Sequence, residues 1–228
     1  MKTLGVWHRT YYNKLAFKTA FQEFRKFFPE SPYLIISDTG DDFSEYVNEK
    51  TFFIMSKIRL WGTGPNAYFN DNLDQWMEYY GSLKKACEIC NTDYIMSMED
   101  DVLIKERFDI IEDFDICGPC VATIPERTQN YIRKNLLDNF GVTEEKKYFY
   151  GLSGGAIFNA KKFLENYDKI IDNLKKLHNE YTFNLTEPVS AVADANFVIH
   201  FNLLNLNYVC SPWLGKEIIH PFKDYYGK

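Results

Sequence analysis

Asp93-Tyr94-Ile95-Met96-Ser97-Met98-Glu99-Asp100-Asp101-Val102 is the stretch on which the reading of the fold turns. A short apolar run bounded by polar residues reads as a buried strand, and this one ends in three consecutive carboxylates. In an open α/β sheet, ligands bind in the crevice outside the carboxyl ends of the strands. Three adjacent acids repel one another, and a divalent cation at such an edge relieves the repulsion. Carboxylate oxygens are hard ligands suited to Mg²⁺ or Mn²⁺, ions that are usually shared with substrate phosphates. The competing reading is a solvated acidic turn, and the rest of the chain decides between the two.

Upstream, the pattern alternates strand and helix. Residues 72–90 carry Trp76, Tyr80, Leu83 and Cys87 at helical spacing and lead into the acidic strand. Before them stand a strand over 51–56 and an irregular loop, Lys57 to Pro65. Tyr33-Leu34-Ile35-Ile36-Ser37 is another apolar strand, ending at Asp38-Thr39-Gly40-Asp41-Asp42. Residues 13–28 place Leu15, Phe17, Phe21, Phe24 and Phe28 on a helix that Pro29 and Pro32 stop. Leu4-Gly5-Val6-Trp7 is a short first strand ending at His8-Arg9-Thr10. Strand, helix, strand in this order predicts a right-handed parallel unit.

Downstream, residues 115–124 read as a strand, and 131–140 as a weak helix or a loop. Residues 147–158 hold a strand with a glycine-rich corner, Tyr150-Gly151-Leu152-Ser153-Gly154-Gly155-Ala156. An amphipathic helix over 160–180 follows, with Phe163, Leu164, Tyr167, Ile170, Ile171, Leu174 and Leu177. A helix over 193–204 and a short strand over 208–210 precede a tail with Lys216 and His220. No repeat or Gly/Ser-rich linker divides the chain. The expectation is one α/β domain over 1–228: a mostly parallel, nucleotide-binding half (1–103) and an acceptor-side half (104–228).

Composition narrows the class. The 228 residues are 46% hydrophobic and 17% aromatic, enough for a substantial core, and carry a formal net charge of −6. A nucleic-acid binder normally shows a basic face, so nucleic acid is not the expected partner. No run approaches the ~18 apolar residues of a membrane span. The N-terminus breaks into charge too early for a signal peptide, so a cytoplasmic protein without a transmembrane anchor is expected. The Asn184-Leu185-Thr186 glycosylation pattern is then irrelevant.

Cys87-Glu88-Ile89-Cys90 and Cys117-Gly118-Pro119-Cys120 are two C-x-x-C pairs, a pattern that suggests zinc. The second also has the sequence of a thioredoxin-like redox centre. Context favours structural cysteines. The first pair sits late in a helical pattern, and the second runs into Val121-Ala122-Thr123-Ile124-Pro125, which is strand-like and supplies no redox helix.

With these residues in place, the chain resembles the GT-A fold glycosyltransferases, which use nucleoside-diphosphate sugars. Met98-Glu99-Asp100-Asp101-Val102 looks like that family's DxD motif in its Glu-Asp-Asp form, as in secretory-pathway N-acetylglucosaminyltransferases. The 150–156 segment is similar to the glycine-rich loop beside donor sugar and acceptor. Val192-Ala193-Asp194 is similar to the xED position, with Ala193 replacing the usual acid, and Glu187 stands near as a substitute base. His220 is similar to a late metal-binding histidine. The four lie in the family's order along nearly the whole chain, whose size matches small domains of this kind in large viruses (hence host cytoplasm) and bacteria.

The resemblance implies roles. Asp101 and His220 would hold Mn²⁺ or Mg²⁺, a Lewis acid and template at the diphosphate. Asp100 and Glu99 would contact the ribose, the sugar or the outer sphere of the ion. His8, Arg9, Asp38 and Arg59, at strand ends or following loops, would hold the nucleotide, and Lys216 would add charge toward the phosphates. Asp194 is the expected base, giving a single inverting displacement. Gly154 and Gly155, lacking Cβ, let backbone approach the sugar. The implied partners are a UDP- or GDP-sugar donor and a glycan, protein or small-molecule acceptor.

Other polar residues read blandly. His178 stands among Lys and Asn as a solvated side chain. His200, near Phe197, Phe201 and Leu204, reads as a satisfied core histidine. Trp61 and Trp213 are core residues, or stack on a sugar face or base. Two rival functions remain: a metal-dependent nucleotidyl or phosphoryl transferase, and a non-catalytic zinc-binding module built on the C-x-x-C pairs.

Overall fold

The computed structural model describes residues 2–57, 73–118, 140–142, 154–180 and 192–219, without the side chains of 177–180 and 192–196. Four parallel strands form its centre: β1 (Leu4–Thr10), β2 (Tyr33–Ser37), β3 (Thr51–Met55) and β4 (Tyr94–Met98). β5 (Leu103–Ile104) leaves this sheet. β6 (Ile116–Gly118), β7 (Ile157–Asn159) and β8 (Tyr208–Cys210) complete a seven-stranded sheet of order β3-β2-β1-β4-β7-β6-β8. β7 alone runs against its neighbours, antiparallel to both β4 and β6, while β6 and β8 are parallel.

Every residue of β1, β2 and β4 is buried, as expected of parallel strands covered on both faces. Helix α1 (Lys14–Phe27) covers one face with Ala16, Phe17, Ala20 and Phe24. Asn13 caps it, its Oδ1 accepting from Ala16 N at 3.0 Å. At its far end Arg25 donates to the carbonyls of Ser31 and Lys50 and to Thr51 Oγ1, which fastens the helix to the starts of β2 and β3. The other face is covered by α2 (Leu73–Cys90), α3 (Ala160–Glu180) and α4 (Val192–Leu203). There Trp76, Tyr80, Leu83, Phe163, Ile170 and Phe197 share one apolar cluster with Trp7, Leu34 and Ile95.

Three elements depart from expectation. The first strand does not stop at Trp7; it continues through Thr10 and takes His8 and Arg9 into the sheet. Polar side chains persist there because partners across the strands satisfy them, as the site geometry shows. A second sheet, not anticipated, pairs Leu103 with Ile219 and Ile104 with Ile218 of β9 (Ile218–Ile219). It returns the chain's tail to the strand that follows the acidic triplet. His200 is buried as expected but is not satisfied: among the described residues neither ring nitrogen has a hydrogen-bond partner.

Candidate functional site

Register brings the chemistry to one edge. Thr10 lies opposite Ser37 and His8 opposite Met98, so Asp38 and Glu99-Asp100-Asp101 leave the sheet at its carboxyl end on either side of β1. The triplet turns back at once, with Val102 N donating to Glu99 O at 3.0 Å. Side chains alternate along a strand, so His8 and Thr10 share the α1 face while Trp7 and Arg9 share the α2 face.

On the α1 face, both carboxylate oxygens of Asp100 are held. His8 Nε2 lies 3.0 Å from Oδ1, and Thr10 Oγ1 donates to Oδ2 at 3.1 Å. The other ring nitrogen of His8, Nδ1, lies 2.5 Å from the Tyr33 hydroxyl. His8 has no exposed surface and packs against the Phe17 ring at 4.8 Å. Burial pushes the Tyr33 hydroxyl pKa well up, and the Asp100 charge acts in the same direction.

On the α2 face, Arg9 Nη2 donates to both oxygens of Asp38. Its guanidinium lies 4.7 Å from the centre of the Tyr79 ring. Asp38 is 1% exposed and Arg9 8%. Burial raises the Asp38 carboxyl pKa, and the Arg9 charge pulls it back down. Among the described residues, Arg9 Nε and Nη1 are buried with no hydrogen-bond partner.

The glycine corner stands beside the same strand end. Gly155 N donates to Ser97 O at 2.9 Å, and Ser97 N to Ala156 O at 2.7 Å. Gly155 takes φ +84°, and a Cβ there would lie 3.2 Å from Ile218 Cγ2, so corner and tail pack together. Asp101 is 3% exposed and Glu99 half-buried, whereas Lys216 is exposed on the turn before β9.

The structure thus gathers His8, Arg9, Asp38, Glu99, Asp100, Asp101, Gly154 and Gly155 at or beside one edge. Arg59, Glu187 and His220 lie outside the described residues, as do Trp61 and Cys120; Asp194 is described only as backbone in α4. Two contributors were missed, Thr10 and Tyr33. Period-two alternation from His8, continued through a longer β1, is the signal for Thr10. Tyr33 carried no signal, because its hydroxyl reaches His8 only across the strand pair.

Cys87, Cys90 and Cys117 are free and buried, and Cys210 is disulfide-bonded. Burial pushes the thiols of Cys87 and Cys117 up to about 12 and that of Cys90 to about 11. The thiolate is the form that binds metal or attacks a disulfide. Trp213 packs 4.8 Å from Phe108. Among the described residues no group of three or more His, Cys, Asp or Glu gathers to hold a metal, and no helix is long and apolar enough to cross a membrane.

A cleft of about 500 Å³ opens at the opposite, amino-terminal edge, between Leu4, Phe28, Pro32, Asn91 and Phe108. None of the predicted site residues lines it. The orphaned Arg9 donors and the held triplet make the carboxyl edge the better candidate, despite the cleft's volume.

No protein-family model matches the chain, and no curated protein sequence matches it. Among solved structures it is similar to the galactosyltransferase LgtC, determined in complex with donor and acceptor sugar analogs. The TM-score is 0.52 at 12% identity, over 92% of this chain and 73% of that one. The likeness establishes a GT-A-type α/β fold.

Proposed function

We propose that this chain is a divalent-metal-dependent glycosyltransferase that moves a sugar from a UDP- or GDP-sugar to an acceptor hydroxyl on a glycan, protein or small molecule. The observation that carries the proposal is the acidic triplet at the carboxyl end of β4, with Asp100 held from β1 and the glycine corner alongside. Support for sugar transfer in particular comes from the fold shared with LgtC, which was solved with donor and acceptor analogs.

The donor set suits a hard cation. Glu99, Asp100 and Asp101 follow one another on the turn, and Mg²⁺ is commonly bound by one or two carboxylates plus substrate phosphates, with no cluster of three protein ligands required. Asp101 and His220 are the proposed ligands; Ile219, the residue before His220, pairs with Leu103, two residues past Asp101. When bound, the ion neutralises negative charge growing on the diphosphate leaving group.

The chain's own groups do the rest. Lys216 offers a further positive charge to the phosphates. Arg9, Asp38 and Arg59 serve the nucleotide, Arg9 and Asp38 by fixing the strand ends beneath it, since both are buried. Asp100 and Glu99 face the ribose, the sugar or the outer sphere of the ion. Asp194 takes the acceptor hydroxyl proton as oxygen attacks the anomeric carbon and the bond to phosphate breaks, a single displacement with inversion.

Calorimetric titration with UDP and GDP, with Mn²⁺ or EDTA, tests these assignments. Asp101→Ala removes metal-dependent binding without loss of fold, and Asp194→Asn retains binding but stops transfer. Undiminished metal-dependent binding in the first variant, or full activity in the second, contradicts the respective role.

A further inference from the structure

The sequence places His8 among the nucleotide contacts; its burial points elsewhere. Given the nucleotide-binding reading of the carboxyl edge, on which this rests, we propose that His8 is a positioning residue that orients Asp100 and does not touch the donor. His8 has no exposed surface, so no ligand reaches it without opening the sheet. Both of its ring nitrogens are engaged, one at Tyr33 Oη and the other at Asp100 Oδ1.

An ionised carboxylate only accepts hydrogen bonds. Nε2 therefore carries a proton toward Asp100 Oδ1, and Nδ1 pairs with the Tyr33 hydroxyl. The partner of one nitrogen in this way sets the tautomer at the other. Phe17 at 4.8 Å and Tyr33 at 5.8 Å fix the plane of the ring. The donor thus aimed at Oδ1, with Thr10 Oγ1 on Oδ2, leaves Asp100 no freedom to turn. A carboxylate offers about four acceptor sites. Two are used inward, and the 20% of the side chain that is exposed presents the remainder to a ligand hydroxyl or a hydrated cation.

His200 provides the contrast within the same molecule. It is equally buried, yet neither nitrogen is bonded among the described residues, and its surroundings are apolar. His8 is wired at both nitrogens, and one wire ends on the triplet.

A double-mutant cycle separates positioning from simple strand packing. The probe is Mn²⁺ with UDP and with GDP, titrated calorimetrically into wild type, His8→Phe, His8→Gln, Asp100→Ala and His8→Phe/Asp100→Ala. Hydrogen bonds to charged groups are worth enough for a change of about tenfold. His8→Phe therefore weakens nucleotide affinity about tenfold in the wild-type background and hardly at all in Asp100→Ala. His8→Gln, whose amide N–H still reaches Asp100, restores most of the loss. Equal weakening in both backgrounds, or none in the wild type, overturns the proposal.

A second measurement needs no ligand. Imidazole ¹⁵N spectra show His8 protonated at Nε2, with a resonance that moves on Asp100→Ala. The Nδ1–H tautomer, or no response to Asp100→Ala, overturns the inference. Wild type that binds neither nucleotide defeats the transferase reading alone, and the spectra still decide His8.

Discussion

Acid unfolding has a named origin in this molecule. His200, on α4, is fully buried 5.3 Å from the Tyr80 ring, and burial alone lowers its pKa from 6.5 to about 3. The folded protein thus holds it neutral, while the unfolded chain protonates it below pH ~6.5. The depressed folded pKa means the stabilising contribution is complete above pH ~6.5 and is lost as pH falls toward 3. Each pH unit in that window costs about 1.4 kcal/mol, so the loss at pH 5 is roughly 2 kcal/mol. That is a large share of the ~5–15 kcal/mol stability of a typical domain. Urea unfolding followed by tryptophan fluorescence at pH 7.5, 6 and 5 measures it, with His200→Leu as control. The variant removes two unbonded buried nitrogens, so it is at least as stable as wild type at pH 7.5. It also loses about 2 kcal/mol less than wild type on going to pH 5. Parallel pH profiles for the two proteins would rule out His200 as the group responsible.

The glycine corner and the buried ion pair make separate predictions. Gly155→Val forces a β-branched residue into φ +84° and against Ile218; it costs at least about 1–2 kcal/mol and lowers the melting temperature, and an unchanged melting temperature contradicts the packing described. Removing one member of the Arg9–Asp38 pair, as in Asp38→Leu, strands a buried guanidinium and costs about 3–5 kcal/mol. Arg9→Met/Asp38→Leu recovers much of that stability in chemical denaturation, although nucleotide affinity is not recovered; a double variant no more stable than the single one counts against a buried pair.

What the sequence made legible was what local pattern encodes. The apolar runs at 33–37 and 94–98 and the helical spacing over 160–180 announce a covered parallel sheet, because burial on both faces leaves no polar alternation. The acidic triplet and the Gly154-Gly155 corner were readable as residue types at a strand end. The extension of β1 through Thr10 was not, since His8 and Arg9 look like the end of a strand until their partners are known. Those partners lie 92 residues away at Asp100 and 29 away at Asp38. The β5–β9 pairing joins Leu103 to Ile219 across more than half the chain, through two-residue strands too short to carry a periodicity. His200 read correctly as buried, but whether its nitrogens find partners depends on α2, which local pattern does not position.

The proposed nucleoside-diphosphate-sugar site needs a divalent cation. A thermal-shift panel of UDP-, GDP-, dTDP- and CMP-sugars, each with Mn²⁺ and with EDTA, tests it most directly. A ligand at 100 times its dissociation constant stabilises by about 2.7 kcal/mol, equivalent to roughly 5–10 °C for a domain of this size. Such a shift is expected with UDP- or GDP-sugars, present with Mn²⁺ and abolished by EDTA. No shift with any nucleotide sugar, or one indifferent to EDTA, would contradict it.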